Sequence, residues 1–211
     1  EPLRYYFAAK LSDAVDDIDL SLEDLTARVN SDIVGKLVNI ASRCAGFIEK
    51  RFDGQLASAL PDAEMYVRFV AALAPIRESY ERNDPASAIR QTMALADEAN
   101  RYIDDKKPWG IAKQDGADVE LQSVCTQGLN LFRILVAALK PVLPQTSAQA
   151  EDFLASPVQA WQDLEAPLLA HAVKSYVPLF TRIDPKKIDA MTEASKDTMA
   201  APAVVGATSV A

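Results

Sequence analysis

Histidine is almost missing from this 211-residue sequence, with His171 standing alone, and the two cysteines, Cys44 and Cys125, are far apart in the chain. A metal site built from imidazole and thiolate needs several such ligands at short spacings, so no zinc knuckle is present and no metal ligand is assigned. Without a carboxylate or cysteine constellation around it, His171 is neither ligand nor base. Two distant cysteines make no disulfide framework either, and both are read as free thiols of a reducing, cytosolic compartment. Glycine is scarce, with 7 residues, and none falls in a Gly-rich phosphate loop. No apolar run approaches the ~20 residues a bilayer-spanning helix requires, and Glu1-Pro2-Leu3-Arg4 does not read as a secretory signal. Cationic excess is lacking too. Lys and Arg number 22 against 30 Asp and Glu, so the formal charge of -8 repels phosphate backbones and excludes a non-specific nucleic-acid binder. Any nucleic-acid site must be local.

What remains is the composition of a packed soluble protein, 49% hydrophobic and 25% charged. One main domain is expected. The chain has no initiating Met and enters a helix-like pattern at once, which points to a piece of a longer polypeptide. Acidic residues such as Asp16, Asp17, Asp19 and Glu23 cluster as surface charge and offer no isolated acid/base pair, so no catalytic residue is assigned.

Periodicity predicts helices along almost the whole chain. Ser21 followed by Asp24 has the form of a capping box, and the apolar pattern then runs unbroken to Asp53-Gly54 as one long helix. Pro61-Asp62 opens a second helix through Met65, Phe69, Leu73 and Ile76, with a kink expected at Pro75. Asp84 caps a third, with Pro85 at its first position, and Ile89, Met93, Ala96 and Ile103 on its apolar stripe. It stops near Lys107-Pro108, and a loop follows around Gln114-Asp115-Gly116. A fourth segment over 119–140 carries Leu121, Val124, Leu129, Phe132 and Leu135, before prolines 141 and 144 and a shorter helix to Phe153. Prolines 157, 167 and 178 mark residues 156–183 as an irregular wrapping segment. Asp184-Pro185 caps a last short helix, and the uncharged residues from 200 read as a linker or docked end. The fold class is all-α, a helix bundle.

On the long first helix, a uniform 100° per residue gathers Ile33, Val34, Leu37, Ile40, Cys44, Phe47 and Ile48 on one side. Lys36, Asn39, Arg43 and Lys50 form a second stripe facing away from the core. An ordinary solvated face has the same pattern. Asn39 and Arg43, one turn apart, nevertheless carry the planar amide and guanidinium suited to bidentate bonding with base edges. An unpaired base also needs a stacking surface. Trp109 is the best candidate, since it follows the charged run Asp104-Asp105-Lys106-Lys107 and is stiffened by Pro108. The competing reading makes Trp109 a plug between two helices. Trp161 has a weaker claim. Asn100 falls on the apolar stripe and reads as a buried amide satisfied by backbone groups.

Several blocks bear a family resemblance. Leu37-Val38-Asn39-Ile40-Ala41-Ser42-Arg43, Gly46-Phe47 and Arg51-Phe52-Asp53-Gly54 resemble the first helix of the anticodon-binding domain in bacterial methionyl-tRNA synthetases. Ala99-Asn100-Arg101-Tyr102 with Pro108-Trp109, and Asn130-Leu131-Phe132-Arg133 with Leu139-Lys140-Pro141, are similar to later blocks in the same order. Pro167-Leu168-Leu169 and Leu179-Phe180-Thr181-Arg182-Ile183-Asp184 extend the match, which covers residues 3 to about 195. Leu3-Arg4-Tyr5-Tyr6 resembles the stretch just after the KMSKS loop of that family.

The resemblance implies a helix bundle of the class I aminoacyl-tRNA synthetase anticodon-binding type. It divides the chain into a stem-contact segment over 1–20 joining the catalytic domain, the anticodon-binding domain over 21–199, and a linker or tail over 200–211. It implies that Asn39 and Arg43 contact anticodon bases and that Trp109 stacks on the first of them, and it implies no other roles; Pro108, Lys36 and Lys50 are supporting candidates from their place in the sequence. The expected partners are the anticodon loop of methionine tRNA and the catalytic domain of the same chain, in a cytoplasmic, monomeric setting. The HIGH and KMSKS motifs and the zinc-binding insertion are not in this sequence. No cofactor is therefore expected here, ATP and a zinc ion being assigned to the catalytic part, which would join methionine to its tRNA. Two alternatives stand beside this reading. They are the same domain from a leucine, isoleucine, valine or cysteine enzyme, and a helical protein-interaction domain using the Lys36 to Lys50 stripe as a docking face.

Overall fold

The computed structural model describes residues 1–12 and 19–199. Asp16, Asp17 and the tail from 200 lie outside them. In chain order the elements are α1 (Pro2–Ala8), α2 (Leu22–Arg28), a π-helical segment (Val29–Val38), α3 (Asn39–Phe52), α4 (Ala63–Ala71), α5 (Leu73–Glu81), α6 (Pro85–Lys106), α7 (Pro108–Ile111), α8 (Asp118–Leu139), α9 (Pro144–Phe153), a 3-10 turn (Trp161–Leu164) and α10 (Pro185–Met199). The fold is all-α, and among the described residues the one isolated β-bridge pairs Gln55 with Ala172.

Local chemistry explains most of these ends. The Ser21 hydroxyl accepts from the Asp24 amide at 3.2 Å, while Asp24 turns its carboxylate to Lys10 at 2.9 Å rather than closing the capping box. The Ser21 amide donates to the Tyr6 hydroxyl instead. Asp62 and Asp84 cap α4 and α6 through the amides of Met65 and Ser87. The expected kink at Pro75 is a break. The chain leaves the helix at Ala72 and restarts, so that Pro75 falls in the first turn of α5, where its missing N–H is not needed.

The first long helix is also not uniform. Ten residues, Val29–Val38, widen to a π-helix before α3 resumes. Gly35 sits in that wide turn, where an added Cβ would stand 3.2 Å from the Asn30 carbonyl. The uniform 100° projection therefore misplaces residues across the junction at Val38 and Asn39.

The core centres on α8, which the sequence pattern presents as amphipathic but which is buried on every side from 124 to 139. Its polar side chains are spent on backbone. The Thr126 hydroxyl accepts from the Ala57 amide at 2.9 Å. Asn130 accepts from the Leu168 amide at 2.7 Å and donates to the Leu168 carbonyl at 3.0 Å. Arg133 donates to the carbonyls of Ala166 and Asp163 at 3.1 and 2.8 Å. The proline-interrupted segment thus wraps α8 because α8 supplies the hydrogen bonds it lacks. Within it, the amides of Ala160 and Gln159 hold the Asp163 carboxyl below its usual range, and the His171 ring bonds the Leu154 carbonyl at 2.7 Å, a structural role.

Cys44 and Cys125 are buried and unbridged. Their mutual hydrogen bond and their burial push the Cys125 thiol well above its ordinary value.

Gly54 shows where this wrapping is tight. Its φ is +79°, its carbonyl accepts from the Val173 amide at 2.9 Å, and an added Cβ would lie 2.6 Å from the Val173 oxygen. Gly54→Ala is expected to lower the unfolding free energy by about 1–3 kcal/mol in denaturant titration, from left-handed backbone strain plus the collision. Gly116→Ala, with φ +76° and open space around it, should cost only the backbone part.

Candidate nucleic-acid interface

The predicted polar stripe meets a partner. Lys36 reaches Asp97 at 2.9 Å, the Asn39 amide donates to the Asn100 Oδ1 at 3.2 Å, and Arg43 pairs with Asp104. Each pair is separated by 61 residues, so the two helices run in the same direction in fixed register. The expectation that this stripe points away from the bundle into solvent is corrected: Lys36, Asn39 and Arg43 lie in the seam with α6. Their side chains are engaged, and that of Arg43 is only 20% exposed. Lys50 alone keeps a solvated position.

Asp97, Asn100 and Asp104 were the residues missed. They repeat on α6 the three-then-four spacing of Lys36, Asn39 and Arg43, and that complementary charge order was the available signal. Asn100 does satisfy backbone groups, donating to the carbonyls of Ala96 at 2.9 Å and Lys36 at 3.1 Å. It is half-buried, and it also holds Asn39.

Trp109 owes its place to the end of α6. A residue before proline is disfavoured in the right-handed helical region, and Lys107 takes the left-handed one, φ 50° and ψ 62°, capping α6 with a bond to Ile103. Pro108 is buried and opens α7. The next residue turns outward, leaving Trp109 40% exposed. The guanidinium carbon of Arg43 lies 4.7 Å from the indole centroid, a cation-π contact that covers part of the ring. Arg43 and Trp109, distant in sequence, are thus brought together, and Asn39 lies one turn before Arg43 on the same seam. Trp161 is half-buried against the core elsewhere.

Beside this pair a groove of about 400 Å³ runs along α3, lined by Ser42, Arg43, Gly46, Phe47 and Lys50 with Trp109 as its far wall. Gly46 gives it depth, since a Cβ there would meet nothing within 4 Å. Among the described residues Lys50, Lys106, Lys107 and Lys113 are exposed and paired with no carboxylate. Lys50 lines the groove, and Lys106, Lys107 and Lys113 lie within four residues of Trp109 in the chain, among the exposed Asp105 and Asp115. No group of His, Cys, Asp and Glu among the described residues could hold a metal ion. No helix of the described residues is long and apolar enough to cross a membrane.

Residues 58–194, more than half of the chain, match the model of the anticodon binding domain of methionyl tRNA ligase. The chain belongs to the methionyl-tRNA ligase family. Residues 1–45 match a second model of that family, the class I tRNA synthetases of the methionine type. Methionine–tRNA ligase of Xanthomonas campestris pv. campestris (strain B100) is 73% identical over 208 residues, 99% of this chain and 30% of that protein. The Xanthomonas oryzae pv. oryzae (strain PXO99A) ligase is 72% identical over 211 residues, 100% of this chain and 30% of that protein. The chain therefore spans about 30% of the length of the curated relatives it matches. These matches set aside the leucine, isoleucine, valine and cysteine enzymes considered on sequence. Apo methionyl-tRNA synthetase of Mycobacterium tuberculosis shares the fold, with TM-score 0.79 at 20% identity over 87% of this chain and 39% of that one. Its complex with methionyl-adenylate gives TM-score 0.77 at 20% identity over 86% and 37%.

Arg43 is held by one partly exposed ion pair and one cation-π contact. Arg43→Ala should lower the unfolding free energy by no more than about 2 kcal/mol, the summed worth of two such contacts. Thermal or urea unfolding of the variant checks it.

Proposed function

We propose that the groove beside Arg43 and Trp109 captures the anticodon loop of methionine tRNA. A single observation carries this reading. An exposed indole and a guanidinium 4.7 Å from its centroid meet at a space of about 400 Å³, large enough to receive an unstacked base, and the Asn39 amide lies one turn from Arg43 on the adjoining seam. Trp109 supplies the face on which the base recovers its stacking energy. Asn39 and Arg43 supply hydrogen-bonding groups at its edge, so a wrong base leaves polar groups unpaired. Pro108 fixes the indole, Lys50 lines the groove, and Lys36 steadies the seam through Asp97. Lys50 and the lysines next to Trp109 in the chain favour phosphate locally, against the charge of the whole molecule.

On this reading residues 1–20 join a catalytic domain, residues 21–199 recognise the tRNA, and residues 200–211 serve as a linker or tail. The parent protein joins methionine to its tRNA with ATP, and this portion alone has no ligase activity. ATP and any zinc ion belong to the catalytic part. The two unbridged thiols suit a cytoplasmic setting, and a monomer suffices for the groove, which one chain completes.

Two variants test the proposal by titration of a methionine-tRNA anticodon stem-loop at several salt concentrations. Trp109→Ala should fold normally and lose on the order of 1–3 kcal/mol of binding, while Asn39→Ala should relax preference among loop bases by a similar amount. Parent-like affinity in the first and parent-like discrimination in the second would remove both residues from the site. Binding of no RNA by the parent would return the stripe to a protein-docking face.

Gly46→Leu tests the groove itself. Leucine is the better helix former, by somewhat less than the roughly 0.8–1.0 kcal/mol that separates glycine from alanine, and the space at Gly46 is open, so stability should hold or rise. Stem-loop binding should fall at least tenfold, because the new side chain occupies the floor.

A further inference from the structure

We infer that Asn100 is a positioning residue that fixes the orientation of the Asn39 amide on the seam one turn from Arg43 and the groove, a statement that rests on the proposed reading of that groove. The two ends of an asparagine amide have nearly the same shape and opposite hydrogen-bonding character, so a free amide can present either order of donor and acceptor. Asn100 has no such freedom. Its Nδ2 lies 2.9 Å from the Ala96 carbonyl and 3.1 Å from the Lys36 carbonyl, and carbonyl oxygens only accept. Both N–H groups of Asn100 are spent there, so its Oδ1 must face α3. Asn39 then has to offer its own Nδ2 to that oxygen, as it does at 3.2 Å. One N–H of Asn39 is used, and its Oδ1 is turned the other way.

The consequence is a selective one. Amino bases present an exocyclic N–H donor beside a ring acceptor, whereas keto bases present the reverse order. An amide locked in one orientation beside the donor-only Arg43 accepts one order and opposes the other. An amide able to flip accepts both at little cost. The lock is set from α6, through a residue whose own donors are spent on backbone carbonyls, and the Lys36–Asp97 and Arg43–Asp104 pairs flank it on either side.

Asn100→Ala and Asn100→Asp separate positioning from mere support. Aspartate keeps an acceptor for Asn39 but cannot donate to the two carbonyls, so it should lower stability yet preserve orientation. Alanine removes the acceptor. In side-chain amide NMR spectra of the chain, the parent and Asn100→Asp should show one Asn39 amide proton slowed in exchange and shifted from its twin, and Asn100→Ala should lose that signature. With stem-loops differing by an amino or a keto base in the loop, discrimination should fall about tenfold in Asn100→Ala, as expected for a lost directed contact, and remain near parental in Asn100→Asp. The Asn39→Ala, Asn100→Ala double variant should discriminate no worse than either single one. Unchanged Asn39 resonances in Asn100→Ala overturn the inference with or without RNA. Lost resonances with unchanged discrimination, while Asn39→Ala discriminates poorly, overturn its selective part. A parent chain that binds no stem-loop overturns the reading of the groove instead.

Discussion

From 124 to 139 α8 has no solvent face, and the hydrogen bonds that its buried Thr126, Asn130 and Arg133 make to surrounding backbone organise this molecule around it. An apolar helix in the same place would bury as much surface but would leave the proline-interrupted segment without partners for its backbone. Asn130 and Arg133 turn that cost into an attachment, since each unmatched carbonyl or amide of the segment would otherwise lose on the order of 1–3 kcal/mol. The segment in turn closes over α3 through the bridge at Gln55 and Ala172. What lies outside the helices is therefore held nearly as firmly as what lies within them.

Because α3 and α6 both pack on α8, their mutual register is set by apolar contacts before any polar pair forms. Lys36–Asp97 and Arg43–Asp104 are partly exposed pairs, and such pairs contribute little to stability. Their effect is geometric. They stop long side chains from wandering over the seam and hold the Arg43 guanidinium carbon 4.7 Å from the Trp109 ring centroid. A side chain already ordered loses less freedom on binding, so the arrangement favours recognition even where it adds little to folding.

The parts of this architecture that depend on near neighbours were legible in the sequence. Asp84-Pro85 announces the start of α6, and Lys107-Pro108 its end, because a cap and a missing N–H act within one turn. The pairing of Arg43 with Trp109 was readable only through the family resemblance, since nothing in local chemistry joins residues so far apart. Three features were not legible. The π-helical turn over Val29–Val38 follows from packing that no local propensity records. The all-round burial of α8 looks, in sequence, like a slightly over-apolar amphipathic helix. The roles of Asp97, Asn100 and Asp104 depend on a register between helices fixed by the core, and a stripe of charge looks the same whether it meets water or an opposite stripe.

That ambiguity also explains how a molecule of net charge -8 can be built for an anionic ligand. Acidic residues on α6 neutralise Lys36 and Arg43 within the seam, so those cations contribute shape and hydrogen bonding more than field. The field comes from Lys50, Lys106, Lys107 and Lys113, which no described carboxylate answers. Screening confines their reach to roughly 8–10 Å at physiological salt, about the span of one loop. Distant acidic surface then repels nucleic acid in general, while these lysines attract only a strand that already lies over the indole. Selectivity by charge and selectivity by base edge thus act at the same spot, and an elongated duplex laid elsewhere on the molecule gains neither.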